Sequence, residues 1–288
     1  MRLANLALVS LLAVMQAASA QEADTLGKIK RTGSISIGHR ESAAPFSYVN
    51  AQHKPAGYTL DLCMQVVDAI KKSLSLPELK INYVLLSATD RQAKISDGTV
   101  DLECGATSNL KERAKTLGFS NTIFYADTKI LVRADSGIKS IDDLKEKRVV
   151  LTQGAVGATM LSKMDAQKGL KIQYIRSREN SESFKLLEEH KVDAFVHDDI
   201  QLAMFASKSD PKTYLMLDTS LSRDPIAIAM RKGDAPLEKI VNAALDSTYK
   251  SGEFQKIYAK WFVTPKFKFP MGDAVKEILN HPNNIASN

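Results

Sequence analysis

The chain has 288 residues, of which 44% are hydrophobic and 25% are charged, a composition typical of globular rather than disordered proteins. Its formal net charge is +6. Basic residues are interleaved with acidic ones, as at positions 111–113 and 145–148, and they form no long basic block. We therefore expect no nucleic-acid partner, and we interpret the charge as a solvated surface that mildly favours anionic ligands.

The N-terminus has the pattern of a cleaved signal peptide over residues 1–20. One basic residue, Arg2, precedes an apolar run at 3–15, and small residues at 18–20 allow cleavage before the next residue. The run is too short for a comfortable membrane span. No cysteine follows the cleavage position, so we expect no lipid anchor. The remaining residues, 21–288, are expected to be exported to the periplasm and are long enough for two domains.

The two cysteines, Cys63 and Cys104, are expected to pair in an oxidising compartment. A disulfide would close a loop of about 40 residues and stabilise the fold by about 4 kcal/mol in the chain-entropy model. The alternative is two separate buried thiols. Two thiols without a histidine at ligand spacing are too few for a metal site, and we expect neither a metal nor a cofactor.

The first part of the mature chain alternates strands and helices. Alternation over residues 34–38 predicts a strand, apolar residues at helical spacing over 62–70 predict a helix, and 81–85 predicts a second strand. A third strand is predicted at 100–102, ending in a Gly-Ala-Thr-Ser turn at 105–108. This βαβ order is typical of a mostly parallel sheet covered by helices.

A second cycle of strands and helices follows, and the chain then returns. The predicted strands are 129–132, 149–151, 172–175, 194–196 and 225–230. The predicted helices are one capped by Ser140, one starting at Gly154, one over 236–249, and an apolar stripe over 254–262 interpreted as a packed core helix.

This order predicts an α/β protein of two lobes joined by a two-strand hinge. The predicted segments are 21–127 and 222–264 for lobe 1, 128–221 for an inserted lobe 2, and 265–288 for a C-terminal tail. The crossing strands should lie near 125–130 and 219–227, and such a hinge lets two lobes close on a ligand. The tail is expected to be packed or mobile, with one possible short helix.

Polar residues follow the predicted strands, where open α/β sheets bind ligands. They are Arg40, Arg91, Thr107, Ser108, Arg113, Thr152, Gln153, Asn180, His197, Asp198 and Asp199. Three arginines and an acidic pair complement an α-amino acid that carries a second carboxylate. The alternatives are surface salt bridges for the arginines and a helix N-cap for either aspartate.

Four segments carry a resemblance to a known family. GHRESAAPFSY at 38–48, GYTLDLC at 57–63, DLECGATSNLKER at 101–113 and AFVHDD at 194–199 resemble periplasmic solute-binding proteins of ABC amino-acid transporters, family 3. The likeness is to the glutamate/aspartate-binding branch. It implies a type II periplasmic binding protein fold, with two parallel or mixed sheets and a two-strand hinge. It also implies a monomer that delivers an acidic amino acid to a membrane permease.

The resemblance also implies roles for individual residues. Arg40 and Arg91 would hold the side-chain carboxylate of the ligand, Arg113 its α-carboxylate, and Asp198 its ammonium group. Ser108 belongs to the same carboxylate clamp. Further ligand donors would be the backbone N–H groups at Ala106 and Val156, which need no particular side chain.

The chain departs from the family pattern at four places. Ala88 and Ala106 stand where relatives carry hydroxyls, Gln153–Val156 replaces a threonine-rich turn, and Asn180 corresponds to a ligand-facing histidine. Lost polar contacts of this kind cost several kcal/mol together. Aspartate, glutamate, an amide or a related dicarboxylate therefore all stay open as ligands.

Enzymatic alternatives are weaker. The TQGAVG segment at 152–157 lacks a complete nucleotide-binding motif, and no HExxH occurs. His197 is interpreted as a loop histidine near the hinge. A periplasmic dehydratase on the same fold would need a positioned general acid, for which Glu41 is the candidate. A sensor subunit for a membrane receptor is a further alternative. We predict a binding protein rather than an enzyme.

Overall fold

The computed structural model describes residues 24–265 and 267–288. The predicted signal peptide at 1–20 lies outside these residues. Among the described helices, none combines the length and the apolar character needed to cross a bilayer.

Strands and helices alternate along most of the chain. The strands are β1 Ser34–His39, β2 Ser42–Ala43, β3 Ser47–Val49, β4 Pro55–Ala56, β5 Lys80–Leu85, β6 Leu102–Ser108, β7 Leu117–Phe119, β8 Phe124–Arg133, β9 Arg148–Thr152, β10 Gln173–Ser177, β11 Ala194–Asp198, β12 Tyr214–Met216 and β13 Ser222–Arg231. The helices are α1 Thr25–Thr32, α2 Tyr58–Ser73, α3 Arg91–Ser96, α4 Val156–Lys168, α5 Asn180–Glu188, α6 Asp199–Ala206, α7 Ala235–Lys250, α8 Glu253–Phe262 and α9 Asp273–Asn280.

Hydrogen bonds link the main strands into one mixed sheet with the order β10-β9-β11-β8-β13-β6-β1-β5. Strand β1 is parallel to β5 and β6, and β9 is parallel to β10 and β11. The two central strands, β8 and β13, are antiparallel and lie where crossing strands were predicted. Thr128 and Ser222, which follow the predicted lobe boundaries, are paired in this ladder. The boundaries themselves stay a prediction.

The hydrophobic side chains form separate cores on either side of the crossing strands. The largest core combines residues before position 127 with residues after 222, including Phe46, Phe124 and Phe254, and it also takes in Ile200 of α6. We call this part lobe 1. Two further cores are built from residues between 130 and 217, and we call this part lobe 2. Each lobe therefore buries its own apolar surface, which is the main source of its stability.

Two local predictions were wrong. The predicted turn at 105–108 is part of strand β6, all of whose residues are buried. It is extended because Thr107 and Ser108 pair with strand β13. The helix predicted after Ser140 is only a short 3-10 helix, Asp142–Leu144. The Ser140 N–H and hydroxyl both donate to the Asp143 carboxylate, each at 2.9 Å.

A disulfide joins Cys63 of α2 to Cys104 of β6, with a Cα–Cα distance of 6.3 Å. Cys104 lies within the strand rather than at a strand end, because β6 continues to Ser108. The bond therefore ties a covering helix to a central strand of the sheet, inside the core of lobe 1.

The C-terminal tail is packed on lobe 1. Helix α9 buries Val275 and Ile278. Beyond it, the carbonyl of Ser287 accepts a hydrogen bond from the Lys111 N–H at 2.8 Å, and the Ser287 hydroxyl donates to Asp224 at 2.7 Å. The stripe on α8 also packs in the core, with Phe254 and Phe262 fully buried.

Candidate functional site: an arginine-rich cavity between the lobes

The eight predicted ligand-binding residues all line one cavity. The full lining is Arg40, Ala43, Ala88, Arg91, Ala106, Ser108, Arg113, Ala155, Val156, Asn180, His197, Asp198 and Gln201. It includes Ala88, Ala106, Val156 and Asn180, the positions where the sequence departs from the family pattern. The structure therefore brings together residues from both lobes that are up to 161 positions apart, from Arg40 to Gln201.

Strand ends place these side chains. Arg40 directly follows β1, Arg91 opens α3 after β5, and Ser108 is the last residue of β6. From lobe 2, Val156 opens α4 after β9, and Asp198 ends β11. Within each lobe these strands are parallel, so the residues that follow them converge at one edge. Strand β11 runs opposite to β6 in the sheet, so the two sets meet in one cavity because the crossing strands place the lobes face to face.

The arginines are held by main-chain oxygens. Arg113 Nη1 donates to the carbonyl of Ser108 at 3.1 Å, and its Nη2 donates to the carbonyl of Gly154 at 2.9 Å. Arg91 Nη2 donates to the same Gly154 oxygen at 3.2 Å. Gly154 belongs to lobe 2, so these bonds connect the lobes across the cavity. The Nε atoms of Arg40 and Arg91 are buried without a hydrogen-bond partner among the described residues.

The arginine cluster is electrostatically strained. Burial, reinforced by the neighbouring Arg113 cation, lowers the pKa of Arg91 to about 9. Burial also lowers the pKa of Arg113. An anion bound beside these groups favours their charged forms and would reverse both shifts. The cavity is therefore suited to a small anion.

Asp198 is the acidic counterpart and lies at the end of a hydrogen-bonded chain. Asn180 Nδ2 donates to Gln201 Oε1 at 2.8 Å, and Gln201 Nε2 donates to Asp198 Oδ2 at 2.9 Å. Burial, with a smaller contribution from Asp224, raises the pKa of Asp198 to about 6. A cationic group beside Asp198 would favour its ionised form.

His197 is not the loop residue that the sequence predicted. It lies within β11 and is buried, because β11 extends to Asp198 between β8 and β9. Burial, together with Arg40 and Arg91, lowers the pKa of His197 to about 3. Its neutral Nδ1 accepts the Asp198 N–H at 2.8 Å. The imidazole is therefore an uncharged wall of the cavity.

Sequence reasoning missed several polar residues around the site. Gln201 lies three positions after Asp198 at the start of α6, a spacing that places both on one helix face. Glu179 directly precedes Asn180 and pairs with Arg40. Glu103 is fully buried, and neither carboxylate oxygen has a hydrogen-bond partner within the described ranges. The arginines therefore face more than the single acidic pair inferred from the sequence.

Two further features bear on the enzymatic and metal-binding alternatives. Glu41, the candidate general acid, is exposed and does not line the cavity. Within residues 24–265 and 267–288, no three His, Cys, Asp or Glu side chains come together as metal ligands would.

Comparison with known proteins decides the family. Residues 35–264 match the bacterial extracellular solute-binding proteins, family 3. The chain belongs to this family.

Individual relatives extend the likeness over nearly the whole protein. This family 3 protein is 40% identical over 271 residues to an L-glutamate/L-aspartate-binding protein of Pseudomonas aeruginosa, covering 91% of this chain and 90% of the relative. It is 33% identical over 290 residues to a glutamate/aspartate import solute-binding protein of Escherichia coli, covering 98% and 96%. These relatives are solute-binding proteins, and this chain is accordingly a binding protein rather than an enzyme.

A solved structure supports the fold. The crystal structure of a solute receptor for L-cysteine of Neisseria gonorrhoeae superposes with a TM-score of 0.77, at 23% identity, covering 87% of this chain and 98% of the receptor. The predicted two-lobed α/β fold is confirmed by this likeness.

Proposed function

We propose that this protein binds an acidic amino acid, glutamate or aspartate, between its two lobes in the periplasm and delivers it to an ABC importer permease. The observation that carries the proposal is one cavity lined by three buried arginines and a buried aspartate, Arg40, Arg91, Arg113 and Asp198. Relatives named for glutamate and aspartate support this choice of ligand.

The charges of the cavity residues suggest which residue binds which group of the ligand. The Arg113 guanidinium is fixed by hydrogen bonds to the carbonyls of Ser108 in lobe 1 and Gly154 in lobe 2. We assign it the α-carboxylate of the ligand. The N-terminus of α4 at Val156 adds backbone donors. Asp198 would receive the ammonium group. These are the groups that every α-amino acid shares.

Arg40 and Arg91 would bind the second carboxylate. Each has a buried Nε–H without a partner in the described part of the chain, and an unpaired buried donor costs about 1–3 kcal/mol. A ligand carboxylate placed between the two arginines would accept a hydrogen bond from each of these Nε–H groups. A neutral side chain would leave these donors unpaired, so this half of the cavity selects for acidic ligands.

Alanines at the remaining positions reduce the number of side-chain donors to the ligand. Ala88 and Ala106 carry no hydroxyl, and Asn180 is already bonded to Gln201. Selectivity between glutamate, aspartate and their amides therefore depends mainly on the two arginines.

A thermal-shift panel on ligand-stripped residues 21–288 tests this proposal. A ligand at about a hundred times its Kd stabilises the fold by about 2.7 kcal/mol. We expect glutamate and aspartate to raise the unfolding midpoint, and glutamine, asparagine and succinate to raise it less. A shift only with another amino acid or a dicarboxylate would refute the choice of ligand. Light scattering on the same sample tests the expected monomer.

A further inference from the structure

Glu179 connects the lobes at the rim of the cavity. It lies in lobe 2, at the position before α5, but its carboxylate contacts lobe 1. Oε2 of Glu179 accepts Arg40 Nη2 at 3.1 Å and the Ser42 hydroxyl at 2.9 Å. The Ser42 oxygen in turn accepts the N–H of Ser181 at 3.4 Å. These four residues form a contact that exists only while the lobes are together.

The burial of this contact makes it sensitive to changes in charge. The side chain of Arg40 is 3% exposed and that of Glu179 is 18% exposed. Removing one partner of a buried ion pair leaves the other charge uncompensated, which is strongly unfavourable. In the open form both groups would regain water. The ion pair is made only in the closed form, where the two charge-assisted hydrogen bonds to Glu179 offset the lost hydration of both groups.

We propose that Glu179 is a latch that holds the lobes closed and a positioning residue that orients Arg40 toward the ligand. The positioning role rests on the proposed function, whereas the latch concerns closure alone. A guanidinium carries five N–H donors, and the bond from Nη2 to Glu179 leaves the buried Nε–H of Arg40 for another acceptor. Glu179 thus fixes which edge of Arg40 faces the cavity.

The test is a substitution that removes the charge of Glu179 but keeps the shape of its side chain. Glu179→Gln should increase the dissociation rate of glutamate about tenfold with little change in association rate, because charge-assisted hydrogen bonds are roughly twice as strong as neutral ones. The matched control is Glu188→Gln at the last residue of α5, an exposed residue without an ion pair among the described residues. The unfolding midpoint of the ligand-free protein should be the same for both variants, which a general structural role of Glu179 would not allow.

A second measurement reports closure without depending on the ligand. Spin labels at Lys72→Cys and Lys163→Cys, exposed positions on α2 and α4, give the distance between the lobes. The closed population should be smaller with Glu179→Gln than with Glu188→Gln, and Ser42→Ala should add little to the effect of Glu179→Gln.

The outcomes separate the two proposals. Equal dissociation rates and equal closed populations for the Glu179 and Glu188 variants would overturn the latch. Failure of the unmutated protein to bind any acidic amino acid would overturn the proposed function instead, and the spin-label distances would still decide the latch.

Discussion

Gly154 of lobe 2 faces the main-chain oxygen of Ala88 in lobe 1. A Cβ added at Gly154 would lie 2.5 Å from that oxygen, a distance at which backbone must shift. Gly154 also has φ +78°, and its carbonyl receives the bonds from Arg91 and Arg113. We predict that Gly154→Ala weakens ligand binding because the lobes can no longer close fully.

The magnitude follows from two separate contributions. Positive φ costs an alanine about 1–2 kcal/mol, and this cost is present whether the lobes are open or closed. The clash with Ala88 exists only in the closed form. If relieving it breaks one of the two arginine bonds to Gly154, the loss is about 1.5–3 kcal/mol, which corresponds to a Kd about 10- to 150-fold higher.

Titration calorimetry with the most stabilising amino acid measures this loss, and small-angle scattering measures closure. Gly137→Ala is the matched control, because Gly137 also lies in lobe 2 at φ +73° but has nothing within 4 Å of its added Cβ. Both variants should unfold at similar temperatures. A Kd for Gly154→Ala within twofold of that for Gly137→Ala would refute the reasoning.

Three further predictions concern the arginines, the pH dependence and the disulfide. Arg113→Ala should abolish binding of every amino acid, and Arg91→Ala should weaken dicarboxylic ones selectively; equal losses for glutamate and glutamine by calorimetry would contradict this division. Because the pKa of Asp198 is raised to about 6, glutamate affinity should fall about tenfold between pH 7 and pH 5, with Asp198→Asn showing little of this change. The same shift should make the ligand-free protein lose stability as pH rises from about 4 through 6, opposite to the affinity. Replacing Cys63 and Cys104, 41 positions apart, by alanine should lower the free energy of unfolding by about 4 kcal/mol, measured from urea midpoints; an unchanged midpoint would refute the estimate.

Much of the fold and site could be predicted from the sequence because the relevant signals are local. Alternation and helical spacing indicate strands and helices within short windows, and residues that follow parallel strands converge whatever the packing between helices. This logic identified Arg40, Arg91 and Arg113 in lobe 1 and Asp198 in lobe 2, whereas the meeting of the two sets in one cavity depends on how the lobes close.

Only the tertiary structure decided the features that depend on distant neighbours. Residues 105–108 resemble a turn by composition, but they extend β6 because β13, more than a hundred positions later, supplies its ladder. The approach of Gly154 to Ala88 and the pairing of Glu179 with Arg40 likewise depend on how the lobes close. No local pattern encodes such contacts, since their energy comes from two surfaces that meet only after each lobe has folded.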